Sequence, residues 1–234
     1  MKRVQIIGAG AVGLLVASFL VELNWDVHIV CRRQNQADLL NLGLKRENND
    51  GCVTEVKVKA STSMLYNADL TIVAVKSGQL MDIVRNLPKE TPIIFLQNGL
   101  AHYDLVSSLS WEHTAFGSAQ FGAYKVSDNI VSHRGRGVLK LAYLYEEVSN
   151  NFLTSLLEMH HDDFPIVFEA DAEHMLIEKA IFNSLINPLT ALLCLKNGEL
   201  LTNEHAYKLL KRIYTELEQC FPNHCPPFEE VIAL

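Results

Sequence analysis

Apolar residues near the start of the chain form a short run that stops at a glycine. Val4-Gln5-Ile6-Ile7 precedes Gly8, and the residues from Leu14 to Val21 then form an apolar stretch of helical length. A short apolar run bounded by a turn residue predicts a buried strand, and the longer stretch predicts a helix. The chain is therefore expected to begin with a strand, a tight turn and a helix.

Apolar runs and helical patterns continue to alternate up to Phe168. Strands are predicted at Asp26–Val30, Asp69–Val75, Pro92–Gln97, Gly117–Lys125, Ile130–Leu144 and Phe164–Phe168, with an edge strand on Val53, Val56 and Val58. Helices are predicted at Gln36–Gly43 and Asn151–His161, and the polar stretch Lys45–Gly51 is expected to form turns. This alternation is typical of an α/β domain.

The pattern becomes helical near Ala170. Helices are predicted at Glu173–Leu193 and His205–Cys220, and Pro188 is expected to bend the first of them because proline removes a backbone donor. The sequence thus predicts two domains, an α/β domain at residues 1–168 and a helical domain at residues 169–234.

The first turn carries the motif G-x-G-x-x-G at Gly8, Gly10 and Gly13. The first glycine allows the tight turn, the second lets a pyrophosphate approach the backbone, and the third lets helix and strand pack closely. Residues Gly8, Ala9, Gly10, Ala11, Val12 and Gly13 are therefore predicted to bind a dinucleotide, which makes the first domain Rossmann-type. The alternative is a glycine-rich turn in some other α/β protein.

The second strand is followed by Cys31-Arg32-Arg33-Gln34, which contains no acid. Sites that select NAD place an Asp or Glu here for the ribose 2′-hydroxyl. A guanidinium offers a fixed fork of donors to phosphate oxygens, so the pattern favours NADP. The alternative is a pair of solvated surface arginines.

Polar residues follow two later strands, and ligands of open α/β sheets bind at such carboxyl ends. Lys76 and Gln79 are therefore predicted to contact the cofactor, although Lys76 could equally be an ordinary surface lysine. Asn98, in the pair Asn98-Gly99, could serve only its turn or could present its amide to a ribose or substrate.

Lys179, Asn183 and Asn187 share one face of the predicted helix that begins near Glu173, because they are spaced four residues apart. Buried polar groups need partners. These side chains therefore either pair with each other and with nearby backbone or line a site.

Composition excludes several classes of protein. The net charge of −7 argues against a general nucleic-acid or anionic-membrane binder, and no apolar run is long enough to span a bilayer. The first strand leaves no room for a signal peptide, and five scattered cysteines fit free thiols in a cytoplasmic protein. The segment Cys220–Cys225 does not have a standard zinc-binding spacing, so no metal is expected there. The four adjacent polar residues of the run His160–Asp163 cannot all face one site, and this run is therefore interpreted as a solvated helix end.

The chain resembles the ketopantoate reductase (2-dehydropantoate 2-reductase) family over nearly its whole length. The resemblance rests on I-I-G-A-G-A-V-G-L-L, V-A-V-K-S-G-Q, F-L-Q-N-G and E-K-A-I-F-N-S-L-I-N-P-L-T-A-L-L followed by K-N-G-E-L. The pattern K-x3-N-x3-N-P-L-T is distinctive of this family.

The resemblance implies an oxidoreductase of pantothenate biosynthesis that reduces the 2-oxo acid ketopantoate with NADPH. It implies that Lys179 donates a proton to the substrate carbonyl and that Asn183 and Asn187 contact the hydroxy acid. It also implies that Asn98 lies near the nicotinamide ribose and substrate, and that Arg32 binds the 2′-phosphate. Lys76 and Gln79 would contact the cofactor.

The family pattern continues through further helices beyond the point where this sequence stops, at Leu234. We therefore expect an incomplete helical domain with exposed apolar surface, self-association, and reduction of ketopantoate at least ~10²-fold slower than in an extended chain. Two other functions stay open: an NADP-binding protein without turnover, and a dehydrogenase of another 2-oxo or 3-hydroxy acid.

Overall fold

A computed structural model of the chain describes residues 2–109, 111–145 and 152–232. The chain divides into two compact units. The first comprises Met1–Gln97 and Ala101–Ala172, and the second comprises Asn98–Leu100 and Glu173–Leu234.

The first unit contains both sheets. Its strands are β1 (Arg3–Ile7), β2 (Asp26–Val30), β3 (Leu44–Glu47), β4 (Val53–Val56), β5 (Lys59–Ser61), β6 (Leu70–Val73), β7 (Ile93–Phe95), β8 (Thr114–Ala119), β9 (Gly122–Ser127), β10 (Ile130–Gly135), β11 (Leu139–Tyr143) and β12 (Ile166–Phe168). Its helices are α1 (Ala11–Glu22), α2 (Gln34–Leu42), α3 (Leu80–Val84), α4 (Ala101–Ser107) and α5 (Thr154–Leu157), and a 3-10 turn at Ser77–Gln79 precedes α3.

The main sheet has eight strands in the order β12-β11-β8-β7-β6-β1-β2-β5. The strands from β5 to β8 in this order pair in parallel, whereas β11 pairs antiparallel with β8 and parallel with β12. Parallel strands need helical crossovers, which is why apolar runs and helices alternate in the sequence. The predicted α/β class with a Rossmann-type first domain is confirmed.

A second sheet of four strands, in the order β4-β3-β10-β9, covers the other side of α1. Helix α1 contacts β1 and β2 as well as β3, β9 and β10, and every residue from Gly13 to Leu20 is buried. A helix that is apolar on all sides must be covered on all sides. The expectation of turns throughout Lys45–Gly51 was wrong, because part of that stretch is β3. The single strand expected at Gly117–Lys125 is two strands, β8 and β9.

The polar strand β3 packs against α1 through a buried arginine, Arg46. The guanidinium of Arg46 lies 3.7 Å from the ring centroid of Phe19, and its Nη1 lies 2.6 Å from Oε2 of Glu22. It also donates to Oγ of Ser18 (3.1 Å) and to Oδ1 of Asn48 (2.6 Å). Because a buried charge is tolerated only when it is paired, α1 and β3 are held together by these contacts.

The predicted helix at Asn151–His161 is shorter in the structure, where only α5 is helical; Asn151 lies outside the described residues. In the run that follows, His160 and Asp162 are exposed, but His161 packs edge-on against Phe19 with ring centroids 4.8 Å apart. The interpretation of this run as a solvated helix end therefore fails for His161.

The second unit is helical. It contains α6 (Ala172–Leu193), α7 (Glu199–Thr202), α8 (Glu204–Cys220) and α9 (Phe228–Val231). Its core is formed by Leu185, Ile186, Leu189, Leu200, Ala206, Leu210, Tyr214, Phe228 and Val231. Helix α6 continues through Pro188, and Oγ1 of Thr190 donates to the backbone oxygens of Ile186 and Asn187 just beside it. None of the helices described is long and apolar enough to cross a membrane.

Candidate functional site

The turn between β1 and α1 requires glycine at two of its three motif positions. Gly8 has φ of +115°, and a Cβ there would lie 2.8 Å from the backbone carbon of Ala74. A Cβ on Gly13 would lie 2.0 Å from the carbonyl oxygen of Gly8. Gly8 has a backbone conformation that other residues rarely adopt, and Gly13 allows the helix and the strand to pack closely.

The middle glycine has a different environment. Gly10 is exposed, and a Cβ on it would meet no atom within 4 Å. It is the N-cap of α1 and, as a glycine, has no side chain that could accept a hydrogen bond from the first turn of that helix. The first N–H groups of a helix have no partner within the helix, and the open space beside Gly10 at this helix end fits the pyrophosphate of a dinucleotide.

A pocket of about 720 Å³ lies at this turn. The residues that line it are Ile7, Gly8, Ala9, Gly10, Val30, Cys31, Arg32, Arg33, Gln36, Thr62, Met64, Ala74, Val75, Lys76, Gln79, Asp82 and Ile83. The pocket brings together the predicted residues of the glycine turn, Arg32, Lys76 and Gln79. Ala11, Val12 and Gly13 lie in α1 and do not line it, and neither does Asn98.

Several lining residues were not anticipated from the sequence. Thr62 and Met64 follow β5, a strand too short and too mixed in polarity to stand out, and Asp82 and Ile83 come from α3. Of the charged lining residues, three are cationic and only Asp82 is acidic. This pocket is therefore positively charged in a chain whose net charge is −7.

The two arginines after β2 have different surroundings. Arg32 is exposed, and it has no carboxylate partner among the residues that the structure describes. Nη2 of Arg33 instead lies 2.8 and 2.9 Å from the two carboxylate oxygens of Asp128, in the turn between β9 and β10. This acid could not be predicted from the residues near Arg33, since it lies 95 residues further along the chain.

The residue that directly follows β2 is Cys31, at the point where sites selective for NAD carry an acid. Its side chain is buried, and burial raises the pKa of the thiol to about 11. The thiol is consequently neutral at physiological pH and would not repel a phosphate at this end of the pocket.

Lys179, Asn183 and Asn187 lie on α6, in the helical unit. Lys179 and Asn183 are half-buried, and Asn187 is exposed. Within the described parts of the chain, none of these three side chains makes a hydrogen bond, and Nζ of Lys179 lies 5.4 Å from the ring centroid of Phe182. Burial lowers the pKa of Lys179. The sequence left two alternatives, and these contacts do not support the one in which the three side chains pair with each other.

Asn98 follows β7 and belongs to the helical unit, together with Gly99 and Leu100. Its side chain is exposed, and Gly99 has φ of +80°, as expected for the predicted turn.

In the described part of the chain, no group of three or more His, Cys, Asp or Glu side chains could hold a metal ion.

Two family models match the chain. "Ketopantoate reductase PanE/ApbA" matches residues 4–146, and "Ketopantoate reductase PanE/ApbA C terminal" matches residues 171–231. The 2-dehydropantoate 2-reductase of Bacillus subtilis is 37% identical over 217 residues, which are 92% of this chain and 72% of that protein. The enzyme of the same name from Listeria monocytogenes is 34% identical, over 94% of this chain and 76% of its own length.

Solved structures have the same fold. The probable 2-dehydropantoate 2-reductase panE from Bacillus subtilis superposes with a TM-score of 0.80 at 34% identity, over 99% of this chain and 79% of that one. A D-mandelate dehydrogenase with NADH and anilino(oxo)acetate also gives 0.80, at 21% identity, over 99% of this chain and 78% of its own, which indicates a shared fold. The chain belongs to the ketopantoate reductase PanE/ApbA family of NAD(P)H-dependent oxidoreductases.

Proposed function

We propose that the protein reduces 2-dehydropantoate (ketopantoate) to pantoate with NADPH, in the cytoplasmic synthesis of pantothenate. The observation that carries the proposal is the positively charged pocket in which the glycine turn, Arg32, Lys76 and Gln79 come together. The relatives named 2-dehydropantoate 2-reductase support the choice of substrate.

Each part of the pocket suits one part of the cofactor. The open backbone at Gly10 and the uncapped start of α1 suit the pyrophosphate. Arg32, which has no carboxylate partner among the described residues, suits the 2′-phosphate. Lys76 and Gln79 suit the groups of the cofactor that lie between its phosphates and the nicotinamide. We assign Asn98 to the nicotinamide ribose and the substrate.

The helical unit supplies the groups for the substrate. A bound NADPH supplies the hydride that reduces the C2 carbonyl. Lys179 donates a proton to the oxygen of that carbonyl, and its positive charge stabilises the oxygen as negative charge develops. Asn183 and Asn187 have amides free to hold the substrate, since neither side chain is engaged by another described residue. Asn183 is half-buried, so its amide gains most from a ligand.

Turnover tests the substrate. We expect oxidation of NADPH, followed by its absorbance, to depend on added ketopantoate and to yield pantoate. Faster turnover of another 2-oxo acid in a matched panel would reassign the substrate. Tight NADPH binding with no turnover of any member of the panel would support a binding protein instead.

Arg32→Ala tests the cofactor. We expect the unmutated protein to bind NADPH at least tenfold more tightly than NADH, equivalent to about 1.4 kcal/mol. The substitution should remove most of this preference by weakening NADPH alone, because NADH has no 2′-phosphate. Dissociation constants from the quenching of protein fluorescence measure both cofactors.

Arg136→Ala is the matched control for Arg32→Ala, since Arg136 is exposed, lies beside Asp163 and does not line the pocket. It should leave both dissociation constants unchanged. Equal affinities for the two cofactors in the unmutated protein would contradict the assignment of NADPH.

A further inference from the structure

The turn between β9 and β10 brings a carboxylate to the arginine end of the pocket. Both oxygens of Asp128 accept from Nη2 of Arg33, and Oδ1 also accepts from Nζ of Lys125 at 2.7 Å. The side chain of Asp128 is 22% exposed and that of Arg33 is 56% exposed. The acid is thus the better buried partner of an arginine that lines the pocket.

The same turn is also tied to the glycine turn. The buried side chain of Gln36, at the start of α2, donates through Nε2 to the backbone oxygen of Ala9 (3.0 Å) and to that of Asp128 (2.9 Å). One amide therefore connects the second sheet to the turn at which the pyrophosphate is proposed to bind. Because Gln36 is buried and bonds to both turns, it holds the backbone of Asp128 close to the glycine turn.

Asp128 stays ionised in this setting. The hydrogen bond from Lys125 is the main cause that lowers the pKa of its carboxyl group, and Arg33 adds to it. An ionised carboxylate is therefore paired with the guanidinium of Arg33, a residue that lines the pocket. A phosphate monoester carries between one and two negative charges at neutral pH, whereas a ribose hydroxyl carries none. The carboxylate of Asp128 is consequently expected to weaken the binding of a 2′-phosphate by repulsion and to have no such effect on a 2′-hydroxyl.

We propose that Asp128 is a specificity-determining residue for the cofactor: its carboxylate neutralises Arg33, leaves Arg32 as the main partner of the 2′-phosphate, and so limits the preference for NADPH over NADH. The proposal rests on the proposed function, because it requires the 2′-phosphate to bind at the arginine end of the pocket. No acid follows β2 directly, but Asp128, in a turn of the second sheet, brings a carboxylate to Arg33, the second arginine after that strand.

Asp128→Asn tests the charge with little change in shape, since the amide oxygen can still accept a hydrogen bond. We expect the dissociation constant for NADPH to fall by about two- to fivefold, the range of an exposed charge interaction, and that for NADH to stay the same. The gain should shrink in high salt because partly exposed charges are screened. Asp128→Ala should act in the same direction, with a smaller gain because Arg33 also loses its support.

Asp50→Asn is the matched control. Asp50 is exposed in the turn between β3 and β4 of the same sheet and does not line the pocket, so the variant makes the same change in net charge. It should leave both dissociation constants unchanged. Thermal unfolding of the three variants establishes that each is folded.

Two results would overturn the inference and leave the proposed function intact. In both, the unmutated protein prefers NADPH and Arg32→Ala removes that preference. In the first, Asp128→Asn leaves the ratio of the dissociation constant for NADH to that for NADPH unchanged. In the second, Asp128→Asn lowers this ratio, which would mean that Asp128 assists binding of the 2′-phosphate by orienting Arg33. If the unmutated protein does not prefer NADPH, the proposed cofactor and this inference both fail.

Discussion

Replacement of Lys179 by alanine should lower the rate of ketopantoate reduction by about 10²–10⁴-fold, the range for a lost general acid. Two properties of Lys179 support this expectation. It is half-buried in α6 without a hydrogen-bonding partner among the described residues, and burial lowers its pKa. A lowered pKa makes the ammonium group a better proton donor near neutral pH. The affinity for NADPH should change little, because the pocket of the first unit does not include Lys179.

Two further variants separate the proton from the charge. Lys179→Arg keeps a positive charge, but a guanidinium does not give up its proton at these pH values. It should therefore restore only part of the lost rate. Lys196→Ala, an exposed lysine in the loop after α6, is the control and should leave the rate unchanged. Turnover of Lys179→Ala at the unmutated rate would show that the lysine only fills space in the helix.

The pH profile gives an independent check. Only the protonated amine can donate, so the rate should hold at low pH and fall as the pH rises through the pKa of Lys179. Because burial moves this pKa below its ordinary value, the fall should occur at a lower pH than for a free lysine. Lys179→Arg should lose this alkaline limb.

The main sheet and the long helices could be predicted because their patterns are local. Strand β2 has the bounds expected from its apolar run, and α6 and α8 differ from the predicted helices by one residue at their starts. Each of these elements buries a continuous apolar face, which fixes its periodicity in the sequence. The glycine turn, Arg32, Lys76 and Gln79 were expected near one another because the carboxyl ends of parallel strands meet at one edge.

The second sheet could not be predicted by the same means. The strand β3 contains Lys45, Arg46 and Glu47, which argue for a solvated turn when only neighbouring residues are considered. The strand is stable because Glu22, Ser18 and Phe19, all on α1, satisfy the arginine. The one local sign was on α1 itself, whose run from Leu14 to Leu20 is apolar on every side except for Ser18, and such a helix needs cover on two faces.

The acid that pairs with Arg33 could not be predicted, because its contacts join residues that are far apart in the sequence. Asp128 reaches Arg33 and Gln36 across 95 and 92 residues, through a sheet whose existence was not foreseen. The residue types alone do not distinguish the two adjacent arginines, yet among the described residues only Arg33 is paired with a carboxylate. The selectivity that we propose for the pocket therefore rests on tertiary contacts as much as on the residues after β2.

The two glycines Gly10 and Gly13 should respond in opposite ways to a single methyl group. Gly10→Ala places the methyl in open space, with φ of −87° and ψ of −174° that alanine adopts freely. The free energy of unfolding should change by less than about 1 kcal/mol. The methyl would occupy the position at which the pyrophosphate is proposed to approach the backbone. Affinity for NADPH should therefore fall by about 100-fold, equivalent to about 2.8 kcal/mol.

Gly13→Ala is the counterpart, because its methyl would lie 2.0 Å from the carbonyl oxygen of Gly8. That oxygen belongs to the backbone of a tight turn, so helix and strand must move apart. Overpacking of this kind costs about 1–3 kcal/mol, and the stability of the fold should fall by an amount near the upper end of that range. Thermal unfolding and NADPH titration of both variants distinguish the two roles. If Gly10→Ala binds NADPH as tightly as the unmutated protein, the pyrophosphate does not lie at this turn, and the assignment of the pocket to the cofactor is wrong.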